Sequence, residues 1–114
     1  MKRFGHLIFV MLIGINSVYA GINIEQYKDI QYRTLTSKNG LTQMTVLDII
    51  QDNKGYLWFA TRDGINRFDG NQIISYKNLI GEKKSLSSNY TTSFAIDKEN
   101  KLWIGTHYGL NVYD

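Results

Sequence analysis

Two ten-residue stretches decide the fold of this chain: Leu57-Trp58-Phe59-Ala60-Thr61-Arg62-Asp63-Gly64-Ile65-Asn66 and, further on, Leu102-Trp103-Ile104-Gly105-Thr106-His107-Tyr108-Gly109-Leu110-Asn111. Each stretch begins with Leu-Trp and then carries Thr, Gly and Asn at the same spacing, and the two copies lie 45 positions apart. The 2 tryptophans of the chain therefore occupy the same repeat position. A period of about 40 to 50 residues is typical of propeller blades and of some helical arrays.

The repeat extends outward from these stretches to 41–69 and 86–114, which share eight identical positions. In the first copy the repeat motif consists of Asp52, Gly55, Leu57, Trp58, Thr61, Gly64, Asn66 and Asp69. In the second copy it consists of Asp97, Leu102, Trp103, Thr106, Gly109, Asn111 and Asp114. The second copy departs at one turn, where Asn100 replaces the glycine, and Asn also tolerates a positive φ.

Local signals favour blades over helices. Short β-branched and aromatic runs alternate with turns rich in Asp, Asn and Gly, which is typical of antiparallel meanders. We predict strands at 46–50, 56–61, 65–68 and 72–76, and again at 92–96, 102–106 and 110–113. The fold prediction is all-β, a partial β-propeller of about two four-stranded antiparallel blades with the second incomplete. The runs at 57–60 and 73–74 are apolar on both faces, so both faces of these strands are expected to be buried.

The first twenty residues have the pattern of a helical signal peptide. Lys2 and Arg3 precede nine mostly apolar residues at 7–15, and a small residue, Ala20, ends the segment. A membrane-spanning helix needs about 20 apolar residues, which is more than this run provides. We predict export to the periplasm with cleavage after Ala20.

Composition excludes several classes of protein. The chain has 114 residues, 13 Lys plus Arg, 10 Asp plus Glu, 2 His and no Cys, so thiolate metal sites and disulfides are excluded. Without Lys2 and Arg3 the formal charge is close to neutral, and the basic residues are scattered, which disfavours nucleic-acid binding. His107 has no ligand-type neighbour at metal spacing, so neither a metal nor a cofactor is expected.

The repeat motif closely resembles the two-component regulator propeller repeat, over 32–114 and including the lead-in at 32–40. In that family an aspartate and a glycine form a turn, followed by leucine-tryptophan, a threonine, a glycine-leucine-asparagine run and an aromatic residue before aspartate. The resemblance implies the exported sensor region of a bacterial receptor whose output is a histidine kinase or, in some relatives, a diguanylate cyclase. None of those output motifs is read in this sequence. Membrane contact is then expected only through downstream segments.

The expected organisation follows from the repeat. Residues 1–20 are the signal peptide, 21–40 a lead-in with a possible closing strand at 31–35, 41–85 the first blade with its connecting loop, and 86–114 the incomplete second blade. Propellers close with about four to eight blades, so the expected partners include further blades, in cis or in trans. The exported part alone is not expected to be a stable monomer.

Residues that repeat are expected to be structural, and residues that differ are the candidates for function. Trp58 and Trp103 are expected to fill the space between blades, while Asp52 and Asp97 accept backbone bonds in hairpin turns. Thr61, Gly64 and Asn66 are expected to close a tight strand connection.

At the following turn the two copies differ. Arg62 and Asp63 in the first become His107 and Tyr108 in the second, and such turns lie at a propeller rim. These four residues are candidate contacts for a small molecule or glycan, with an ordinary solvated surface as the alternative interpretation.

Three functions remain open from the sequence. The first is a non-catalytic ligand-sensing propeller of a two-component receptor. The second is part of an exported propeller enzyme acting on carbohydrate, which would need paired carboxylates or an arginine cluster on one rim. The third is a protein-binding repeat module.

Overall fold

The structure, a computed structural model, describes residues 30–114. The predicted signal peptide and its cleavage site lie outside the described residues. The chain divides into two units, Met1–Arg33 and Thr34–Asp114, and every strand of the described part belongs to the second unit.

Two antiparallel sheets form the second unit. The first blade consists of β1 (Val46–Gln51), β2 (Leu57–Thr61), β3 (Gly64–Phe68) and β4 (Ile73–Tyr76), hydrogen-bonded in that order. The second blade consists of β5 (Thr91–Ile96), β6 (Leu102–Thr106) and β7 (Gly109–Tyr113), again in sequence order. The predicted all-β fold with a four-stranded and a three-stranded blade is confirmed, and the seven strands predicted for the two blades are present within about one residue of their predicted bounds.

The two blades also share the same irregularities of the backbone. Each blade's first strand shifts register against the second, between Val46 and Asp48 in one blade and between Thr91 and Ser93 in the other. The first hairpin turn of each blade contains a residue with positive φ, which is Gly55 at 87° and Asn100 at 62°. Asparagine therefore takes the backbone conformation that glycine takes in the other copy, as the sequence predicts.

The lead into the first blade is a short capped turn followed by a buried anchor. Thr36 caps a 3₁₀ helix, Ser37–Asn39, and Leu41 then lies 6% exposed. Residues 30–36 have no regular secondary structure. The strand predicted at 31–35 would need a partner in a further blade, so it stays a prediction.

The core lies between the two sheets. Its buried side chains come from both blades and from the connecting loop, and they are Trp58, Ile65, Leu86, Leu102 and Ile104. Side chains of β1, β4 and β5 pack around them. Removing such apolar surface from water contributes roughly 25 cal/mol per Å², so the blade-to-blade contact is a main source of stability in this unit.

Burial on both faces is confirmed for β2, where residues 58–61 are all buried. The same prediction for β4 is wrong, because Ile74 is 43% exposed. β4 is the last strand of its sheet, and within residues 30–114 no strand of the second blade pairs with or covers the outer side of Ile74.

Candidate functional site

The first hairpin of each blade is organised by one aspartate. Asp52 Oδ1 accepts hydrogen bonds from the backbone N–H groups of Lys54 and Tyr56, at 2.9 and 3.0 Å. Its Oδ2 accepts one from Trp58 Nε1 at 2.9 Å. The prediction that this aspartate is a turn residue is confirmed, and the bond to the tryptophan six positions later is an addition from the structure.

The second blade repeats this arrangement. Asp97 accepts from the backbone N–H groups of Glu99 and Lys101, at 2.8 and 3.0 Å, and from Trp103 Nε1 at 2.8 Å. The indole N–H bond, followed by the backbone bond from Lys101, lowers the pKa of Asp97 below its ordinary value of 3.8. With both carboxylate oxygens engaged in its own hairpin, this aspartate is a poor candidate for acid catalysis.

The lowered pKa predicts an acid-dependent loss of stability. A carboxyl group with a depressed folded-state pKa stabilises the fold above its unfolded value, and this contribution is lost as the pH falls through the folded value. Between about pH 5 and pH 2, the urea midpoint of the wild type should therefore fall more steeply than that of Asp97→Asn. The Glu99→Gln variant, which removes an exposed carboxylate, should keep the wild-type slope. Identical slopes in wild type and Asp97→Asn would contradict the prediction.

The repeated Thr, Gly and Asn residues tie each hairpin to the chain segment that enters the blade. Thr61 Oγ1 donates to the Gly64 carbonyl at 2.9 Å. Asn66 Oδ1 accepts from the Thr42 backbone N–H at 3.1 Å, and Asn66 Nδ2 donates to Thr42 Oγ1 at 2.9 Å. Thr61 and Gly64 thus close the strand connection, whereas Asn66, predicted to share that role, anchors the entering segment instead.

The second blade uses Thr106, Asn111 and Ser87 in the same way. Thr106 Oγ1 donates to the Gly109 carbonyl at 2.8 Å, and Asn111 Oδ1 accepts from the Ser87 backbone N–H at 3.0 Å. Thr42 and Ser87 occupy equivalent positions, so either hydroxyl residue suffices there.

One buried hydroxyl, that of Thr91, joins the two blades beside the turn between β2 and β3. Thr91 Oγ1 accepts from the Thr61 backbone N–H at 3.0 Å and is 2.7 Å from the Thr61 carbonyl, to which it donates. The Gly64 N–H adds a bond of 2.6 Å to the carbonyl of Asn89. The position of Thr91 is Val46 in the first copy, so the hydroxyl is a feature of the second copy alone.

Replacing Thr91 by valine should therefore cost about 1–3 kcal/mol, because it leaves the buried N–H of Thr61 without its acceptor. Valine fits the backbone, since Val46 occupies the equivalent strand position. The exposed Thr45→Val provides a matched control and should change the free energy of unfolding by less than about 0.5 kcal/mol. Urea unfolding followed by circular dichroism measures both, and equal values would contradict the role given to the Thr91 hydroxyl.

The structure brings two of the four predicted site residues together through a third side chain. The rings of Tyr90 and His107 stack at 3.6 Å between centroids, tilted by 21°. The Arg62 guanidinium carbon lies 5.3 Å from the centroid of the Tyr90 ring. Arg62 belongs to the first blade and His107 to the second, so this rim cluster of Arg62, Tyr90 and His107 spans the junction of the blades.

The other two candidates lie apart from this cluster. Asp63 Oδ2 forms an ion pair with Lys77 Nζ at 2.7 Å. Tyr108 is 80% exposed, and its backbone N–H donates to Thr106 Oγ1 at 3.1 Å. The four predicted contacts are therefore not one cluster.

Tyr90 is the rim residue that sequence reasoning missed. It lies in the loop just before β5, at a position equivalent to Thr45, where the two copies also differ. Its backbone carbonyl accepts from the His107 N–H at 3.1 Å, which holds the loop beside the second turn. The difference between Thr45 and Tyr90, in the segment just before the first strand of each blade, is the sequence signal that points to Tyr90.

Within residues 30–114, no group of three or more His, Asp or Glu side chains is placed to hold a metal ion. No helix in the same residues has the length and apolar character needed to cross a bilayer.

Comparison with known proteins gives two findings. Residues 40–63 and 85–108 each match the family model of the two component regulator propeller. The chain is also 38% identical over 80 residues to histidine kinase P4 of Formosa agariphila, an alignment that covers 66% of this chain and 6% of the relative. The chain thus corresponds to a small part of that relative. Both findings agree with the repeat seen in the sequence and with the two blades.

Proposed function

We propose that this chain, which carries two repeats of the two component regulator propeller family, is part of the exported ligand-sensing propeller of a bacterial two-component receptor. The similarity to a protein named as a histidine kinase supports this assignment. Kinase chemistry is assigned to the receptor as a whole, and the two blades are given no catalytic step of their own.

The rim cluster is the observation that carries the ligand-sensing proposal. Arg62 and His107 are both exposed, come from different blades and lie against the half-buried ring of Tyr90. A guanidinium and an imidazole supply hydrogen bonds to anionic or hydroxyl-bearing ligands. A ligand held by both residues would favour one arrangement of the blades over others, and this preference is the physical requirement for a signal.

Thermal shift measurements test this proposal. A panel of neutral oligosaccharides, acidic oligosaccharides and simple carboxylates is added to the chain, and a binding ligand should raise the unfolding temperature. Arg62→Ala and His107→Ala should each remove the shift, whereas Lys98→Ala, at an exposed residue of a hairpin turn, should keep it. Turnover of a carbohydrate would favour the enzyme alternative. A shift that survives both rim substitutions would overturn the assignment of the site.

Export is the second element of the proposal. It rests on the sequence of residues 1–20, and sensor propellers of this family are expected outside the cytoplasm. Expression in a Gram-negative host followed by fractionation and N-terminal sequencing tests it. The expected product lies in the periplasm and begins at Gly21, and an uncleaved cytoplasmic product would contradict it.

The open face of the second blade is a third element, because it is the surface on which a further blade would pack. In the first blade Trp58, Ala60 and Ile65 are at most 1% exposed, and the second blade packs on Trp58 and Ile65. At the equivalent positions of the second blade, Trp103 and Gly105 are half-buried and Leu110 is 61% exposed. Both blades thus have this apolar surface, but within residues 30–114 only that of the first blade is covered by another blade.

This exposure predicts that the chain is not a stable monomer by itself. Apolar patches of this kind on a stacked unit are normally covered by the next unit. Analytical ultracentrifugation should show concentration-dependent association, and the urea midpoint should rise with protein concentration. A monodisperse monomer with one cooperative, concentration-independent transition would contradict the prediction.

A further inference from the structure

The rim cluster of Arg62, Tyr90 and His107 lies where the two blades meet. Its side chains come from the turn between β2 and β3, from the loop just before β5 and from the turn between β6 and β7. Arg62 and His107 are exposed, whereas Tyr90 is half-buried. All three segments that form the cluster belong to residues 30–114, and their chemistry restricts the class of ligand that the rim can hold.

Charge is the first restriction on the ligand. Arg62 carries a permanent positive charge, and an imidazole such as that of His107 is the side chain that gains one within the physiological range of pH. Among the ion pairs of residues 30–114, none involves Arg62 or His107. The carboxylate next to Arg62 in sequence, Asp63, pairs with Lys77 Nζ at 2.7 Å. Within the described part of the chain, the cluster therefore presents positive charge that no carboxylate neutralises.

Hydrogen-bond acceptors beside the cluster are engaged by the protein itself. Gln43 Oε1 accepts from the Arg62 backbone N–H at 3.2 Å, and Ser88 Oγ accepts from the Tyr90 backbone N–H at 3.1 Å. The Tyr90 carbonyl accepts from the His107 backbone N–H at 3.1 Å. A guanidinium and a charged imidazole contain donors only. A sugar hydroxyl both donates and accepts, so the cluster matches half of its bonding capacity, whereas an oxyanion needs donors alone.

The aromatic ring of the cluster holds these donors in place. The His107 imidazole stacks on the Tyr90 ring with the centroids 3.6 Å apart and the planes tilted by 21°. The guanidinium carbon of Arg62 lies over the same ring, 5.3 Å from its centroid. An uncharged ligand would gain most from a free aromatic face, but an imidazole covers one face of this ring. The stacking instead orients two donor groups in advance, which lowers the entropic cost of binding an acceptor.

We propose that the ligand of this rim is a small molecule with an oxyanion group, which Arg62 binds through its guanidinium and His107 through a ring N–H. This inference rests on the ligand-sensing function proposed above and names the ligand class. A guanidinium forms paired, charge-assisted hydrogen bonds with carboxylates, sulfates and phosphates alike. Because the two residues belong to different blades, one bound oxyanion links the blades at the rim.

A matched series of sugars tests this inference on the full chain. Glucose is the neutral probe, and glucuronate, glucose 6-sulfate and glucose 6-phosphate carry the three kinds of oxyanion at the same end of the molecule. Ligand-observed NMR should show at least one charged sugar binding at least about tenfold more tightly than glucose. The charged sugar that binds most tightly identifies the oxyanion. Binding of glucose as tight as that of the charged sugars, or no binding of any charged sugar, would overturn the inference.

Two variants and a control locate the binding. Arg62→Gln and His107→Gln should each weaken binding of the preferred charged sugar at about pH 6 by at least about tenfold. Lys98→Gln, which removes an exposed positive charge from a hairpin turn, should change it by less than about twofold. Circular dichroism of each variant checks that the fold is kept. Both rim residues are exposed, so their substitution leaves the core intact.

The pH profile isolates the imidazole. Binding of glucuronate or of glucose 6-sulfate, whose charges are constant in this range, should be tighter at about pH 6 than at about pH 8. The other ionisable side chains of the cluster, Arg62 and Tyr90, are of types that ordinarily keep their charge between these values. His107→Gln should remove the dependence on pH. A dependence that persists in this variant would overturn the role given to His107.

Failure of this inference differs from failure of the sensing proposal. A neutral oligosaccharide that binds the wild type, and loses binding in both rim variants, would overturn the oxyanion inference and leave the rim as the sensing site. A charged sugar that binds both rim variants as tightly as the wild type would overturn the assignment of the site itself, and the oxyanion inference with it.

Discussion

Replacing Trp58 by alanine is expected to cost about 3–5 kcal/mol of unfolding free energy, which for a unit of this size approaches complete unfolding. The indole is 1% exposed. It lies with its ring centroid 5.7 Å from that of Tyr76 and 5.0 Å from that of Tyr113, so it is in contact with both blades. The substitution opens a cavity between the sheets and removes the N–H donor that Asp52 accepts.

The matched control is Trp103→Ala, at the equivalent position of the second blade. This indole keeps the same bond to its own aspartate, at 2.8 Å, but it is only half-buried. Its loss should therefore cost less, about 1–2 kcal/mol. Urea unfolding followed by circular dichroism measures both variants at one protein concentration, since association would shift the midpoint.

Two results of these measurements would contradict the expected difference between Trp58 and Trp103. A loss below about 1.5 kcal/mol for Trp58→Ala would contradict its role as the centre of the core. Equal large losses in both variants would show that Trp103 is covered as well, as in a chain whose second blade packs on a further blade. Repeating the measurement at lower concentration then separates association from burial within one chain.

Replacing Gly64 by alanine is expected to cost at least about 3 kcal/mol, from backbone strain and steric overlap together. Gly64 has a φ of +89°, a region that side chains rarely adopt. An added Cβ would also overlap the backbone carbonyl oxygen of Tyr76, which belongs to the paired strand β4. Because that oxygen is fixed by the sheet, relief requires β3 and β4 to separate.

Gly109→Ala distinguishes the two causes. Gly109 is the repeat equivalent, with a φ of +106°, but the nearest atom to an added Cβ is Ser87 Oγ at 3.9 Å. Gly109→Ala should therefore lose only the free energy that backbone strain costs, about 1–2 kcal/mol. Hydrogen exchange should show early opening of β4 in Gly64→Ala alone. Equal losses in the two variants would mean that backbone strain accounts for the whole effect.

These pairs of equivalent residues also show where the candidate site departs from its prediction. The sequence groups Asp63 with Arg62 because they are neighbours in one turn, yet Asp63 pairs with Lys77 of the connecting loop. Tyr90 lies outside both turns in the sequence, although its ring joins Arg62 to His107. Sequence spacing relates residues within one turn, whereas this cluster is formed by three separate segments.

The sequence by itself determined the local architecture of this protein. Alternating apolar runs and Asp-, Asn- and Gly-containing turns specify strands and hairpins through interactions within a few residues. The aspartate turns and the positive φ at Gly55 and Asn100 are of this kind. The 45-residue period then identified two copies of one unit.

Only the tertiary structure decided what distinguishes the copies. Trp58 is buried and Trp103 half-exposed, and an added Cβ overlaps backbone at Gly64 but makes only an ordinary contact with Ser87 at Gly109. The motif is the same in each pair, and the environments differ because, within residues 30–114, the second blade covers the first and nothing covers the second. Burial and steric overlap depend on which surface packs against which, and a repeated motif does not contain that information.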